Sequence, residues 1–233
     1  MRLGFILVAL MFLSACADGL RLPTLPYDWQ RALGRVNADM RNNQVYVGDP
    51  VFIRIFKEEN ILELWMKGDD NHQYTLVKSY PICNWSGALG PKIREGDRQS
   101  PEGFYETDIN SLNPQSKYHV SFNINFPNAY DQSYGRTGSY LMVHGDCVSD
   151  GCYAMTDAQI EEIYTLVERA LDNGQRHIPV HIFPFRMTGG RMLQEVQSPW
   201  FEFWLDIKEG YDYFETHKRP PLWTVENKDY VFY

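Results

Sequence analysis

Three runs of β-forming residues follow one another between Val51 and Ile82, and they set the fold class. "VFIRIF" from Val51 and "ILELWMK" from Ile61 alternate in polarity and are separated by the turn Glu58-Glu59-Asn60, which reads as a hairpin. "YTLVKSYPI" from Tyr74 supplies a third strand. Further strands are predicted in "KYHVSFNINF" from Lys117, in "YLMVHG" ending at Gly145, and in "PVHIFPFR" from Pro179. Helices are fewer. Tyr27 to Asn43 carries helical spacing, and Thr156 with Gln159 forms a capping box ahead of Ile160, Ile163, Tyr164, Val167, Ala170 and Leu171. Ser198-Pro199 starts a third, aromatic helix whose dense face is predicted to pack on the sheet, and a short hairpin ends the chain. The fold class is therefore mostly β with appended helices, α+β.

The two ends of the chain read differently from its middle. Residues 1–16 begin with Arg2, continue in an apolar run from Leu3 to Leu13, and end in Leu13-Ser14-Ala15-Cys16. The run is too short to span a bilayer and has the form of a secretory signal. Its last four residues resemble a bacterial lipobox, which implies lipid attachment at Cys16 and a membrane anchor. Residue 17 is Ala rather than Asp, which favours the outer membrane. The expected organisation is a signal over 1–16, a tether and helix over 17–49, a catalytic domain over 50–187, and a helical and hairpin extension over 188–233. The net charge of −8 argues against a nucleic-acid surface, which needs clustered positive charge.

Cysteine parity then draws attention to one stretch. Four cysteines are present, and with Cys16 assigned to lipid the remainder is odd, so one of Cys83, Cys147 and Cys152 is left unpaired. "VHGDCVSDGCYAM", residues 143–155, delivers His144 at a strand end and Cys152 shortly before the capped helix. A cysteine near an imidazole and a helix N-terminus is favoured as thiolate, the nucleophilic form. Gly151 leaves space beside the sulfur and exposes backbone N–H groups of the kind that bind an oxyanion. On this reading Cys152 attacks an acyl carbon and His144 takes its proton. Other readings stand beside it: His144 as a plain strand cap, a small Cys147–Cys152 disulfide loop, and a thiol redox pair without C-x-x-C spacing. The ligand spacings do not match common zinc sites, and no metal or cofactor is expected.

"HGDCVSDGCYAMTD" resembles the signature of the YkuD-type L,D-transpeptidase catalytic domain, and more closely its YafK-like branch. "IRIFKEENILELW", "GALGPKIREGDRQSPEGFY", "YHVSFNINFPNAYD" and "GRTGSYLMVHG" extend the likeness over most of residues 50–185. The resemblance implies a β-sandwich or barrel core, with Cys152 as nucleophile and His144 as base. It also implies a Gly145 carbonyl that orients His144, and N–H groups of Gly151 and Cys152 as oxyanion donors. Cys147 lies off the motif and is expected to be a spectator, with Cys83 its alternative partner. The second histidine of the wider pattern is replaced by Asp150, while Ser149 keeps the Ser/Thr position.

The substrate class implied is the peptidoglycan stem peptide, with transfer of the acyl group to an amine or to water. A wall-attached lipoprotein is a second implied partner, and the location is the periplasm. A non-catalytic wall-binding lipoprotein of the same fold is the alternative. Stem peptides carry carboxylates, so Arg94, Arg98 and above all Arg136 are candidate substrate contacts, with Ser149 and Tyr118 beside them.

Overall fold

The computed structural model describes residues 25–68 and 72–233, so the signal and lipid-attachment readings at 1–16 lie outside the described residues. In chain order, helix α1 (Trp29–Asn42) precedes strands β1 (Val51–Phe56), β2 (Ile61–Met66), β3 (Thr75–Pro81), β4 (Asn84–Trp85) and β5 (Gly103–Thr107). A 3-10 turn (Ile109–Ser111), β6 (Leu112–Asn113), β7 (Ser121–Asn123), α2 (Ala129–Ser133), β8 (Met142–His144) and β9 (Tyr153–Ala154) follow. The chain then forms α3 (Asp157–Asp172), β10 (Ile178–Phe183), α4 (Gly189–Leu193), α5 (Phe201–His217) and the hairpin β11 (Trp223–Glu226) and β12 (Asp229–Phe232).

Two five-stranded sheets result, ordered β3-β2-β1-β10-β5 and β4-β9-β8-β7-β6, and neither closes into a barrel. β1 pairs with β10 in parallel, as does β8 with β9; the other pairings within these sheets are antiparallel. Alternation along β1 sends Val51, Ile53 and Ile55 into a core shared with α3 and with Phe122, Val143 and Tyr153 of the second sheet. Phe56 faces a second cluster, built with Phe104, Phe183 and the apolar face of α5. Both faces of the first sheet are therefore covered, and β1 is buried at every position. The close approach of α5 depends on Gly210, where a Cβ would lie 2.5 Å from the rings of Phe104 and Phe232.

Helix α3 fixes the second sheet against the first. Thr156 is its cap: its hydroxyl accepts from the Gln159 amide, and the Gln159 side chain accepts from the Thr156 amide. Ile160, Ile163, Leu166, Val167 and Ala170 then fall on one buried stripe. One expected element is shorter than its sequence pattern. Lys117 to Val120 is a turn rather than strand, with His119 at φ 69°, and pairing begins only at Ser121. The Gly145 amide donates to the Tyr118 carbonyl there, so the turn packs against the loop that leaves β8.

Candidate active site

His144 ends β8 and Cys152 immediately precedes β9, so one loop, residues 145–152, connects two neighbouring parallel strands. The register pairs Val143 with Tyr153 and His144 with Ala154. Continued by one residue, it sets Cys152 beside Met142, and the Met142 amide does donate to Cys152 Sγ at 3.4 Å. Sγ thus takes the place of a ladder acceptor at the end of the β8–β9 pair, and it donates in turn to the Tyr140 carbonyl at 3.8 Å rather than to His144, which lies two residues along β8 from Met142.

The imidazole is held on one side. His144 is 2% exposed, and its Nδ1 lies 2.7 Å from the Gly145 carbonyl, so Nδ1 carries the proton and donates. That tautomer leaves Nε2 with its lone pair. The Tyr118 ring covers the imidazole, with centroids 4.8 Å apart. Burial pulls the His144 pKa below its ordinary value, against the Gly145 carbonyl and Asp146. Gly145 itself has no room for a side chain, since a Cβ would sit 2.6 Å from Asp157 Oδ1.

Cys152 is half-buried and is the free cysteine among the described residues. Burial raises its pKa, with the Asp150 carboxylate adding to the rise and the Met142 amide and the Lys92 ammonium opposing it. Burial thus favours the neutral thiol and the neutral imidazole. This desolvation opposes the thiolate expected from the imidazole and the helix end. Four residues, including β9 and the cap Thr156, separate Cys152 from the first residue of α3. The helix dipole fades within its first turn.

The remaining contacts hold the loop rather than the substrate. Cys147 is bonded to Cys83, which corrects the spectator reading and removes the Cys147–Cys152 loop and redox readings. The bridge lies where the Cys83 amide already donates to Ala154 and the Cys147 amide to Met155. Ser149 Oγ donates to the Cys152 carbonyl at 2.7 Å, and Ser100 Oγ donates to the same oxygen at 2.9 Å. Ser149 is a loop brace, not a substrate contact, in this geometry. The Gly151 amide, expected as an oxyanion donor, donates to Ser86 Oγ at 2.6 Å. Gly151 sits at φ 101°, a backbone conformation that a side chain would strain.

Arg136 also departs from its expected place at the site. It is buried, pairs with Asp131 at 2.8 Å and lies among the rings of Tyr130, Tyr134 and Phe203. It lines a different hollow of about 370 Å³ with Trp200 and Asp206. The cleft at Cys152 has a volume of about 320 Å³ and is walled by Lys92, Glu95, Arg98, Tyr140, Leu141 and Asp150 among others. Arg98 does stand at its mouth, largely exposed and 3.6 Å from Asp150. Lys92 was not legible in the sequence as a site residue: one lysine in a glycine-rich loop carries no signal until its burial is known. No cluster of three or more His, Cys, Asp or Glu side chains suited to a metal occurs among the described residues.

Comparison with known proteins brings a family to this geometry. Residues 43–182 match the YkuD family profile, described as the L,D-transpeptidase catalytic domain. The Escherichia coli K12 protein named "Putative L,D-transpeptidase YafK" is 52% identical over 188 residues, covering 81% of this chain and 76% of that protein. The O157:H7 protein of the same name matches to the same extent. Among solved structures, the K307A mutant of the helical cell shape determining protein Pgp2 from Campylobacter jejuni superposes with a TM-score of 0.48 at 20% identity. That match covers 73% of this chain, and the chain spans 60% of that protein's length. Bd1075 from Bdellovibrio bacteriovorus gives 0.40 at 22% identity, over 59% of this chain and 48% of that one.

Proposed function

This chain belongs to the YkuD family of L,D-transpeptidase catalytic domains, and from that premise we propose that it is a cysteine acyl-transfer enzyme acting on peptidoglycan stem peptides. One observation carries the reading. Of the three cysteines in the described residues, the two off the family motif are bonded to each other, and the one on it is a free thiol at a cleft, beside the strand that ends in a buried imidazole.

The chemistry follows from the resting protonation states. Cys152 Sγ bonds to the carbonyl carbon between the third and fourth residues of the stem, and the thiol proton passes to Nε2 of His144. The Gly145 carbonyl, as acceptor from Nδ1, steadies the imidazolium that forms. Collapse expels the fourth residue as an amine, which takes the proton from His144. A second amine, or water, then attacks the thioester with His144 as base again. The Cys152 amide is the oxyanion donor; the Gly151 amide joins it only if it leaves Ser86. An amine acceptor yields a crosslink or an attached lipoprotein, and water yields hydrolysis.

We also propose that the enzyme works in the bacterial envelope, tethered by lipid at Cys16. The Cys83–Cys147 bridge supports export, because structural disulfides persist in oxidising compartments. The test of the main reading is mass spectrometry of purified muropeptides after incubation, with and without an added amine. Wild-type protein is expected to release the fourth residue and to form the amine adduct. Cys152→Ala is expected to do neither, and turnover by that variant at the wild-type rate overturns the reading.

A further inference from the structure

Four lysine and arginine side chains are buried among the described residues: Arg54, Lys57, Lys92 and Arg136. Arg54 pairs with Glu215 under α5, Lys57 with Glu102, and Arg136 with Asp131 in the neighbouring hollow. Lys92 alone of these lines the cleft that Cys152 opens into.

That placement is built with care. Lys92 is 4% exposed. Its stem runs beneath Gly138, where a Cβ would come within 2.7 Å of Lys92 Cε, so a side chain there would displace the lysine. Its Nζ donates to the Arg94 carbonyl at 3.0 Å and to Asp97 Oδ1. Asp97 also accepts from the amides of Ile93, Arg94 and Gln99, so its carboxylate keeps three donors without the lysine. An ammonium has three protons, and two have partners here; the side chain that carries the third lines the cleft. Of the other charges lining it, Arg98 and Asp150 are largely exposed and loosely paired at 3.6 Å, and Glu95 is exposed.

A desolvated cation beside an acyl-transfer thiol serves best as a receiver for a fixed anion, because a charge-assisted hydrogen bond out of water is stronger than one in it. Building on the proposed acyl-transfer reading, we infer that Lys92 binds the free terminal carboxylate of the peptide substrate and so selects acyl donors cleaved one residue from their C-terminus. Arg98, largely exposed, would meet that carboxylate in water, where such a contact is weak, and is not the anchor.

The test compares one synthetic stem tetrapeptide with a free C-terminal carboxylate and the same peptide as its C-terminal amide. Wild-type protein is expected to favour the acid over the amide in kcat/KM by on the order of tenfold or more, mainly through KM. Lys92→Met is expected to bring that ratio close to one, beyond any common loss on both peptides from removing a charge that favours the Cys152 thiolate. Lys92→Gln, which keeps donors for Arg94 and Asp97 without the charge, is expected to do the same, and it stands in should the methionine variant not fold. Equal use of acid and amide by the wild type overturns the inference, as does an unchanged ratio in either variant or an equal loss on both peptides, which marks Lys92 as a loop brace. Cys152→Ala is run beside them: its turnover of either peptide would sink the acyl-enzyme reading itself, whatever Lys92 does.

Discussion

Cys83 and Cys147 are joined across 64 residues, with Cα atoms 5.2 Å apart, and the bond fastens the loop between His144 and Cys152 to the start of β4. Closing a loop of that length in the unfolded chain is worth about 4 kcal/mol on the chain-entropy account. Cys83→Ser with Cys147→Ser is therefore expected to lower the melting temperature by roughly 10 °C, and a reductant should do the same to the wild type. Thiol titration of the unreduced chain should find Cys152 as the one reactive group after residue 25. A melt indifferent to reductant would show that the bridge contributes little.

The protonation states of the site set its pH response. Burial raises the Cys152 thiol above its ordinary range and pulls His144 below its own. A preformed thiolate–imidazolium pair would alkylate readily and evenly across pH 5 to 7. Here the reaction of Cys152 with iodoacetamide should stay slow at neutral pH and climb only in the alkaline range. Turnover needs the neutral imidazole, so its acid limb should fall below the ordinary histidine value of about 6.5. His144→Ala removes that limb along with most of the rate. A flat alkylation profile between pH 5 and 7 would contradict the neutral pair.

Lys57 anchors the long loop that supplies the other side of the cleft. Its ammonium is fully buried, and its three protons are shared among the carbonyls of Ala88, Gly90 and Ser100 and Glu102 Oε1, the last at 2.9 Å. Ser100 in turn holds the Cys152 carbonyl, so the lysine braces the nucleophile at two removes. Lys57→Met leaves Glu102 charged and buried, and breaking a buried pair on one side costs about 3–5 kcal/mol. Urea unfolding should show that loss. Adding Glu102→Gln should recover part of it by removing the buried charge, with its one amide oxygen taking the place of Oε1 as acceptor from Gly90 N while Trp204 Nε1, which Oε2 serves, loses its acceptor.

Local physics was readable from the sequence, and cover supplied from a distance was not. The capping box at Thr156 and Gln159 is written within four residues and appears as expected. The hairpin of β1 and β2 was equally legible, because turn and alternation are adjacent. The burial of Arg54 was hidden: alternation marks it as a solvent position, yet α5, some 150 residues on, closes that face with Phe214 and Glu215. Arg136 misled in the same way, since its partner Asp131 belongs to a buried cluster that no spacing reveals. Parity of the cysteines foretold a free thiol, and the partnership of Cys83 depended on β4 lying beside β9.

His181 shows the same hidden face in a form that stability measurements can read. It is 1% exposed on β10, between the rings of Phe52 and Phe104 at 4.7 and 4.6 Å, and neither ring nitrogen has a hydrogen-bond partner. Burial holds its pKa well below the ordinary value, and the Arg54 charge pushes the same way. The unfolded chain takes up this proton near pH 6.5 while the folded chain refuses it. Between the folded value and 6.5 the unfolded state therefore holds more protons, and stability must fall as pH falls. Above 6.5 this group has no effect. The slope per group reaches about 1.4 kcal/mol per pH unit, and His144 adds a second contribution of the same sign. His181→Phe cannot take a proton, and its ring suits an aromatic sandwich beside a hollow of about 440 Å³. The variant is expected to match or exceed wild-type stability at pH 7 and to lose much of the decline between pH 6.5 and 5 in denaturant melts. An unchanged decline would mean that His181 is protonated in the folded protein, or that carboxylates alone govern the acid limb.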